Sequence, residues 1–163
     1  MSVAICPGSF DPITLGHLNI IRRTAKIFDK VIVCIMYNSS KSSPMFTIDE
    51  RAEMVRKVVA RFPNVEVDTS CGLLAEYAKK YEGAVLVKGL RAASDFEYEF
   101  QMNLINKKIN PSLETMFLTS SEKYTFLSSS VVREMARYGA DLSDFVPCEI
   151  IEEIEKKAQL WRQ

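Results

Sequence analysis

Residues 31–37, Val-Ile-Val-Cys-Ile-Met-Tyr, are apolar at nearly every position. A strand apolar on both faces must be buried on both faces, which happens where helices cover the two sides of a parallel sheet. Shorter apolar runs recur at Val3–Cys6 and Ala84–Val87, and Val65–Val67 and Thr115–Leu118 also read as short strands. Between them lie stripes at helical spacing. Leu15, Leu18, Ile21, Ala25 and Phe28 form one, and Ile48, Ala52, Val55, Val59 and Phe62 a second. Leu74, Tyr77, Ala78 and Tyr81 form a third. Thr47–Glu50 and Ser94–Glu97 both have the form of a capping box, a hydroxyl followed three positions later by a glutamate. Pro111 stops the helix that Ser94 would open, and Gly139 stops the one after Ser128-Ser129-Ser130. A last helix from Pro147 shows Ile150, Ile154, Ala158 and Trp161 on one face, which either the core or another copy could cover. Five strands interleaved with helices predict a doubly wound, five-stranded parallel α/β sheet with a C-terminal helix. A chain of 163 residues suits one domain, 1–163.

Charge narrows the partners. Lys plus Arg equals Asp plus Glu, at 21 each. A zero balance lacks the basic surface that nucleic acid or an anionic membrane requires. The cysteines, Cys6, Cys34, Cys71 and Cys148, and the single histidine, His17, have no zinc-ligand spacing, so no metal site built of protein ligands is expected. Free thiols suit a reducing compartment. No leader pattern is visible, and no apolar stretch nears the roughly 20 residues that cross a bilayer. A cytoplasmic location is expected.

In a doubly wound sheet, ligands bind beyond the carboxyl ends of the strands. That rule singles out Pro7–His17, Asn38–Lys41, Ser70–Leu74, Lys88–Arg91 and Thr119–Ser130. In the first, Gly8 allows a close approach to backbone. Thr14 is a candidate N-cap, placing Gly16 and His17 in the first helical turn. Free N–H groups and the helix dipole favour a phosphate there, and His17 adds a side-chain donor. A lone histidine is more often a satisfied core or surface residue; the glycines and the helix start converging on it favour the functional reading. Asp11 and Pro12 read as residues that set the turn. Lys41 leaves the second strand end in a polar loop. Lys88 and Arg91 emerge from a buried strand around Gly89 and suit a polyphosphate. Ser128, Ser129 and Ser130 open a helix, a second anion site of the first kind, although capping alone needs only one hydroxyl.

Thr14-Leu15-Gly16-His17 matches the Thr-x-Gly-His element of the nucleotidylyltransferase superfamily. With it stand Lys41-Ser42-Ser43-Pro44-Met45-Phe46-Thr47, Gly89-Leu90-Arg91, Asp95-Phe96-Glu97-Tyr98-Glu99 and Phe126-Leu127-Ser128-Ser129-Ser130. Together, from about Val3 to Pro147, these resemble the phosphopantetheine adenylyltransferase family. The resemblance implies a Rossmann-like nucleotidyltransferase fold and adenylyl transfer from ATP to 4′-phosphopantetheine. It implies acceptor contacts at Ser9, Lys41, Leu74 and Lys88. It implies ATP contacts at Ser9, Phe10, His17, Gly89, Leu90, Arg91, Glu99, Tyr124, Thr125, Phe126, Leu127, Ser128, Ser129 and Ser130. His17 matches the transition-state stabiliser, Lys41 shares the catalytic role, and Mg²⁺ and a homohexamer are implied. Position 88 is commonly arginine in the family; Lys88 keeps the charge and loses the fork. Two alternatives remain at this level: a nucleotidylyltransferase for another acceptor, such as nicotinamide mononucleotide, and a non-catalytic nucleotide-binding module.

Overall fold

The computed structural model describes residues 1–37 and 43–161. Its strands are β1 (Val3–Gly8), β2 (Lys30–Met36), β3 (Val65–Ser70), β4 (Val85–Leu90) and β5 (Glu114–Thr119). Its helices are α1 (Leu15–Ala25), α2 (Ile48–Val59), α3 (Leu74–Ala78), α4 (Ala93–Ile109), α5 (Ser129–Arg137) and α6 (Ile151–Trp161). The five strands form one parallel sheet in the order β3-β2-β1-β4-β5. This is the expected doubly wound topology.

The apolar run that predicted burial on two sides is divided between two cores. Val31, Val33 and Ile35 face one cluster, with residues of α1, α2, α5 and α6. Ile32 and Cys34 face the other, with α3 and the end of α4. Burial pushes the Cys6 thiol up to about 12 and the Cys34 thiol up to about 11, so both stay protonated packing groups.

Strand order reverses between β1 and β4, and the sheet splits there. Backbone pairing of β1 with β4 stops at Ile5↔Leu86, whereas β1–β2 continues to Gly8↔Ile35 and β4–β5 to Leu90↔Thr119. Pro7, two residues past the last pair, has no N–H to extend a ladder. A crevice opens between the carboxyl ends of the two central strands.

Two capping predictions diverge. Thr47 caps α2 with its box to Glu50 complete: Thr47 N–H donates to Glu50 Oε2 at 2.7 Å, and Glu50 N–H donates back to Thr47 Oγ1 at 3.2 Å. The Ser94–Glu97 box does not form. α4 starts two residues earlier than that box requires, at Ala93, with Ala92 as its N-cap and no side-chain cap. The acidic side chain that serves this end is Asp95, which accepts from Arg91 N–H instead. The helix read from Leu74 to Tyr81 is only Leu74–Ala78, and the last helix is preceded by a 3₁₀ turn at Cys148–Ile150. Gly139, at φ 72°, ends α5 as expected. α6 lies on this chain's own core: Ile150, Ile154 and Ala158 are fully buried, and Lys157 donates to Glu50 at 2.8 Å. Among the described residues, no helix is long and apolar enough to cross a membrane.

Candidate active site

The turn from β1 into α1 folds around the backbone. Thr14 Oγ1 accepts from His17 N–H at 3.3 Å, the ordinary N-cap bond. The return bond of this box comes from imidazole rather than carboxylate: Thr14 N–H donates to His17 Nδ1 at 3.0 Å, with Thr14 Oγ1 also 3.1 Å from that nitrogen. A nitrogen that accepts from a backbone amide carries no proton, so the ring proton belongs on Nε2. The cap thus fixes both the tautomer and the direction of the His17 donor. The Phe10 ring stands edge-on to the imidazole, with centroids 5.0 Å apart. Phe10 itself sits at φ 46°, an unusual backbone conformation for a bulky residue. Gly8 makes room for it: a Cβ there would lie 3.0 Å from the Phe10 ring. The glycine read as access for a ligand therefore has a packing reason as well.

Beneath this turn lies a buried polar buttress. Asp11, 2% exposed, accepts from Met45 N–H at 3.0 Å and Phe46 N–H at 2.9 Å. Arg133 Nη1 donates to the Asp11 carbonyl at 2.7 Å and lies 3.6 Å from its carboxylate. Arg51, 4% exposed, donates to the carbonyls of Ser9 at 2.8 Å and Thr47 at 3.3 Å. Asp11 is structural, as read from sequence. Arg51 and Arg133 were not singled out. The signal for Arg51 was a charge three positions after Ile48, on the buried stripe of α2.

At the end of β4, Lys88 forms an ion pair with Glu99 of α4, and both side chains are mostly shielded from solvent. Gly89 lets strand and helix close up, since a Cβ there would come within 2.9 Å of Ile20 Cγ1. Leu90 accepts from Ser120 N–H through its carbonyl, and its side chain does not line the cleft. Arg91 is held at several points: Nε to Asp95 Oδ2 at 3.1 Å, Nη2 to Oδ1 at 3.4 Å, and Nη1 to the Leu127 carbonyl at 3.0 Å. Burial pushes the Asp95 carboxyl up, but the guanidinium and backbone N–H of Arg91 outweigh it and hold it below its ordinary value.

All three serine hydroxyls before and within α5 are engaged. Ser128 Oγ caps the helix by accepting from Val131 N–H, Ser129 Oγ donates to the Pro12 carbonyl at 2.8 Å, and Ser130 Oγ accepts from Arg133. An anion at this end would therefore meet mainly the backbone N–H groups of the first turn, which have no partner inside the helix. Thr125 donates to the Ser121 carbonyl, and Phe126 is exposed and edge-on to Phe145; neither lines the cleft.

These parts border one cleft of about 960 Å³ at the split in the sheet. Of the residues singled out, it is lined by Ser9, Phe10, His17, Leu74, Lys88, Gly89, Arg91, Glu99, Tyr124, Leu127, Ser128, Ser129 and Ser130. Lys41 lies outside the described residues. The cleft lining also includes the apolar side chains of Met36, Leu73, Leu74 and Met102. The short helix α3 behind it is anchored by Tyr77, whose hydroxyl donates to Asp68 Oδ2 at 2.6 Å.

A parallel sheet split at its switch point, with two helix N-termini and two cations on the split, is the architecture of a nucleotide-binding transferase. A cytidylyltransferase-like family profile matches residues 5–135. A phosphopantetheine adenylyltransferase of Caldanaerobacter subterraneus subsp. tengcongensis is 55% identical over 96% of this chain and 98% of that protein. One of Alkaliphilus metalliredigens is 48% identical over 97% of this chain and all of that protein. The chain belongs to the phosphopantetheine adenylyltransferase family. A solved structure of a putative nicotinate-nucleotide adenylyltransferase from Vibrio parahaemolyticus, 21% identical, superposes with a TM-score of 0.69 over all of this chain and 97% of its own. It shares the fold.

Proposed function

We propose that this protein transfers the adenylyl group of ATP to 4′-phosphopantetheine, giving dephospho-coenzyme A and pyrophosphate, a step of coenzyme A biosynthesis. A phosphate oxygen of the acceptor forms a bond to the α-phosphorus of ATP, and the bond from that phosphorus to the β-phosphate bridge breaks. The attacking group is already an anion near neutral pH, so the reaction needs no strong general base. Its catalysis is positioning and charge stabilisation.

The observation that carries this reading is the His17 cap. Nδ1 is committed to Thr14, which turns Nε2–H into a donor at the N-terminus of α1, the positive end of the helix dipole; of the first-turn amides there, Leu15 N–H already donates to the Phe145 carbonyl and His17 N–H to Thr14 Oγ1. Such a donor fits the α-phosphate oxygens, whose charge grows in the transition state. The α5 first turn and Arg91 fit the β and γ phosphates. Lys88 and Lys41 fit the acceptor phosphate, and Leu74 with its apolar neighbours fits the pantetheine arm.

Mg²⁺ enters with the nucleotide in this reading. Among the described residues, no cluster of three or more His, Cys, Asp or Glu stands ready for a metal. The two cleft carboxylates are engaged by Arg91 and Lys88. The described residues do not fit a resident ion, whereas Mg²⁺ readily keeps its waters and binds substrate phosphates. We read the protein as a one-domain cytoplasmic homo-oligomer, a hexamer by the family resemblance.

Pyrophosphate release from ATP and Mg²⁺ tests the assignment. Release is expected with 4′-phosphopantetheine and not with nicotinamide mononucleotide. Release with the second alone would move the acceptor assignment, and release with neither from protein that binds ATP would return the chain to a binding module.

A further inference from the structure

The start of α3 supplies two residues to the cleft, Leu73 at the N-cap and Leu74 at the first helical position. The helix spans only Leu74–Ala78 and has no side-chain cap. A single helical turn does not hold itself in water, so its place is set by what it leans on. Part of that support is apolar: Ala75, Tyr77 and Ala78 are buried in the second core. Apolar burial is non-directional, and two alanines offer little shape to fix one orientation. The directional contacts are polar and come from outside the helix. Asn110 Nδ2 donates to the Ala75 carbonyl at 3.2 Å. Tyr77, 3% exposed, donates its hydroxyl to Asp68 of β3.

That second contact continues to the cleft. Asp68 Oδ1 accepts from Thr69 N–H at 2.8 Å, which leaves Oδ2 for the Tyr77 hydroxyl at 2.6 Å. Tyr77 N–H in turn donates to the Leu73 carbonyl at 2.9 Å. The residue whose ring is pinned to the sheet is therefore the one that closes the turn bearing Leu73 and Leu74. Burial, and then the bond to Asp68, push the Tyr77 phenol far above its ordinary value, so it remains a donor. The Tyr77 hydroxyl holds the Asp68 carboxyl below its ordinary value despite the desolvation that opposes it, so the acceptor is ionised. An apolar pair would fill the same space without desolvating a carboxylate. What the polar pair adds is direction.

We propose that Asp68 and Tyr77 are positioning residues for the acceptor: their bond fixes the α3 turn, so that Leu73 and Leu74 meet the pantetheine arm as a wall already in place. This rests on the reading of 4′-phosphopantetheine as the acceptor. A ligand that meets preset groups does not have to order them, whereas with the bond gone that ordering falls on the ligand and weakens its binding. The groups assigned to ATP belong to α1, α5 and the β4–α4 turn, none to α3, so the loss falls on one substrate.

The test uses Tyr77→Phe, which keeps the ring and the Lys80 ammonium 4.7 Å above it and deletes the hydroxyl alone. Dissociation constants for 4′-phosphopantetheine and for ATP with Mg²⁺ are measured by calorimetry, and kcat and KM by pyrophosphate release. The acceptor Kd and KM should rise about tenfold, the scale of one hydrogen bond to a charged group. The ATP constant and kcat should stay within about twofold of the parent. Asp68→Ala should act in the same direction, and the double variant should bind the acceptor no worse than the weaker-binding single variant, because the two residues act through one bond. ATP binding reports that each variant is folded. Asn64→Ala is the control for stability alone: it deletes two bonds, to the carbonyls of Ala25 and Phe28, at the opposite, amino end of β3. It should lower stability and leave acceptor binding as in the parent.

Unchanged acceptor binding in Tyr77→Phe would overturn the proposal, as would an equal loss for ATP. So would an equal loss in Asn64→Ala, since acceptor binding would then follow stability rather than the α3 turn. If the parent binds 4′-phosphopantetheine and releases no pyrophosphate, the reaction assignment falls while the dissociation constants still decide the role of Asp68 and Tyr77. If the parent does not bind it, both fall.

Discussion

The two loops that face each other across the cleft are held by different physics. The β1–α1 turn rests on buried, short-range bonds: a histidine cap, a carboxylate accepting two amides, and an arginine on the Ser9 carbonyl. The β4–α4 turn rests on part-exposed ion pairs between side chains. Breaking a buried network leaves polar groups stranded without water, so such a network persists in one arrangement. A part-exposed pair can exchange partners at modest cost. One side of the cleft is fixed by buried bonds, and the other by ion pairs that solvent reaches.

The most severe break in that contrast is His17→Ala. With its directed donor lost, kcat should fall by about 10²–10³-fold, with far less change in KM for either substrate. Near-normal turnover would remove His17 from the chemistry. Next is Asp11→Ala, which strands the amides of Met45 and Phe46 and leaves Arg133 beside an unpaired site. A stability loss of about 3 kcal/mol is expected, read by denaturant unfolding. A loss no larger than that of a surface substitution would show that the buttress is not what fixes the turn. The smallest effect belongs to Asp95→Asn. The Asp95 carboxyl is held below its ordinary value, so it adds stability above about pH 4 that is lost as pH falls through the lower folded value. The variant should be slightly less stable at pH 7 and should lose part of the acid destabilisation below pH 4. An unchanged acid profile would mean that this pair contributes nothing to the fold.

The same division explains what was legible in the sequence. Strands and helices were, because burial has a period: the alternate residues of Val31–Ile35 point to two separate cores. Thr14 and Thr47 were legible because a cap and its partner sit three residues apart. Ser94 and Glu97 satisfy the same spacing and form no box, since Asp95 found Arg91 and the helix began early. A local rule failed where a charge across the turn offered a stronger partner. Arg51 with Ser9, Ser129 with Pro12, and Lys88 with Glu99 are pairings set by the folded chain, and no local spacing announces them. The comparison of sequences identified the family; the geometry added which groups hold which.

The split between β1 and β4 carries a last consequence. The crevice opens where backbone pairing stops, at Ile5↔Leu86, and not where side chains have been trimmed away. It is made by the divergence of two strands, which a point substitution at the rim does not undo. Altering the side chains at its rim changes what is selected and leaves the seat itself intact. Such a scaffold can take up a new phosphorylated acceptor through a few exchanges at the surface, with its core untouched.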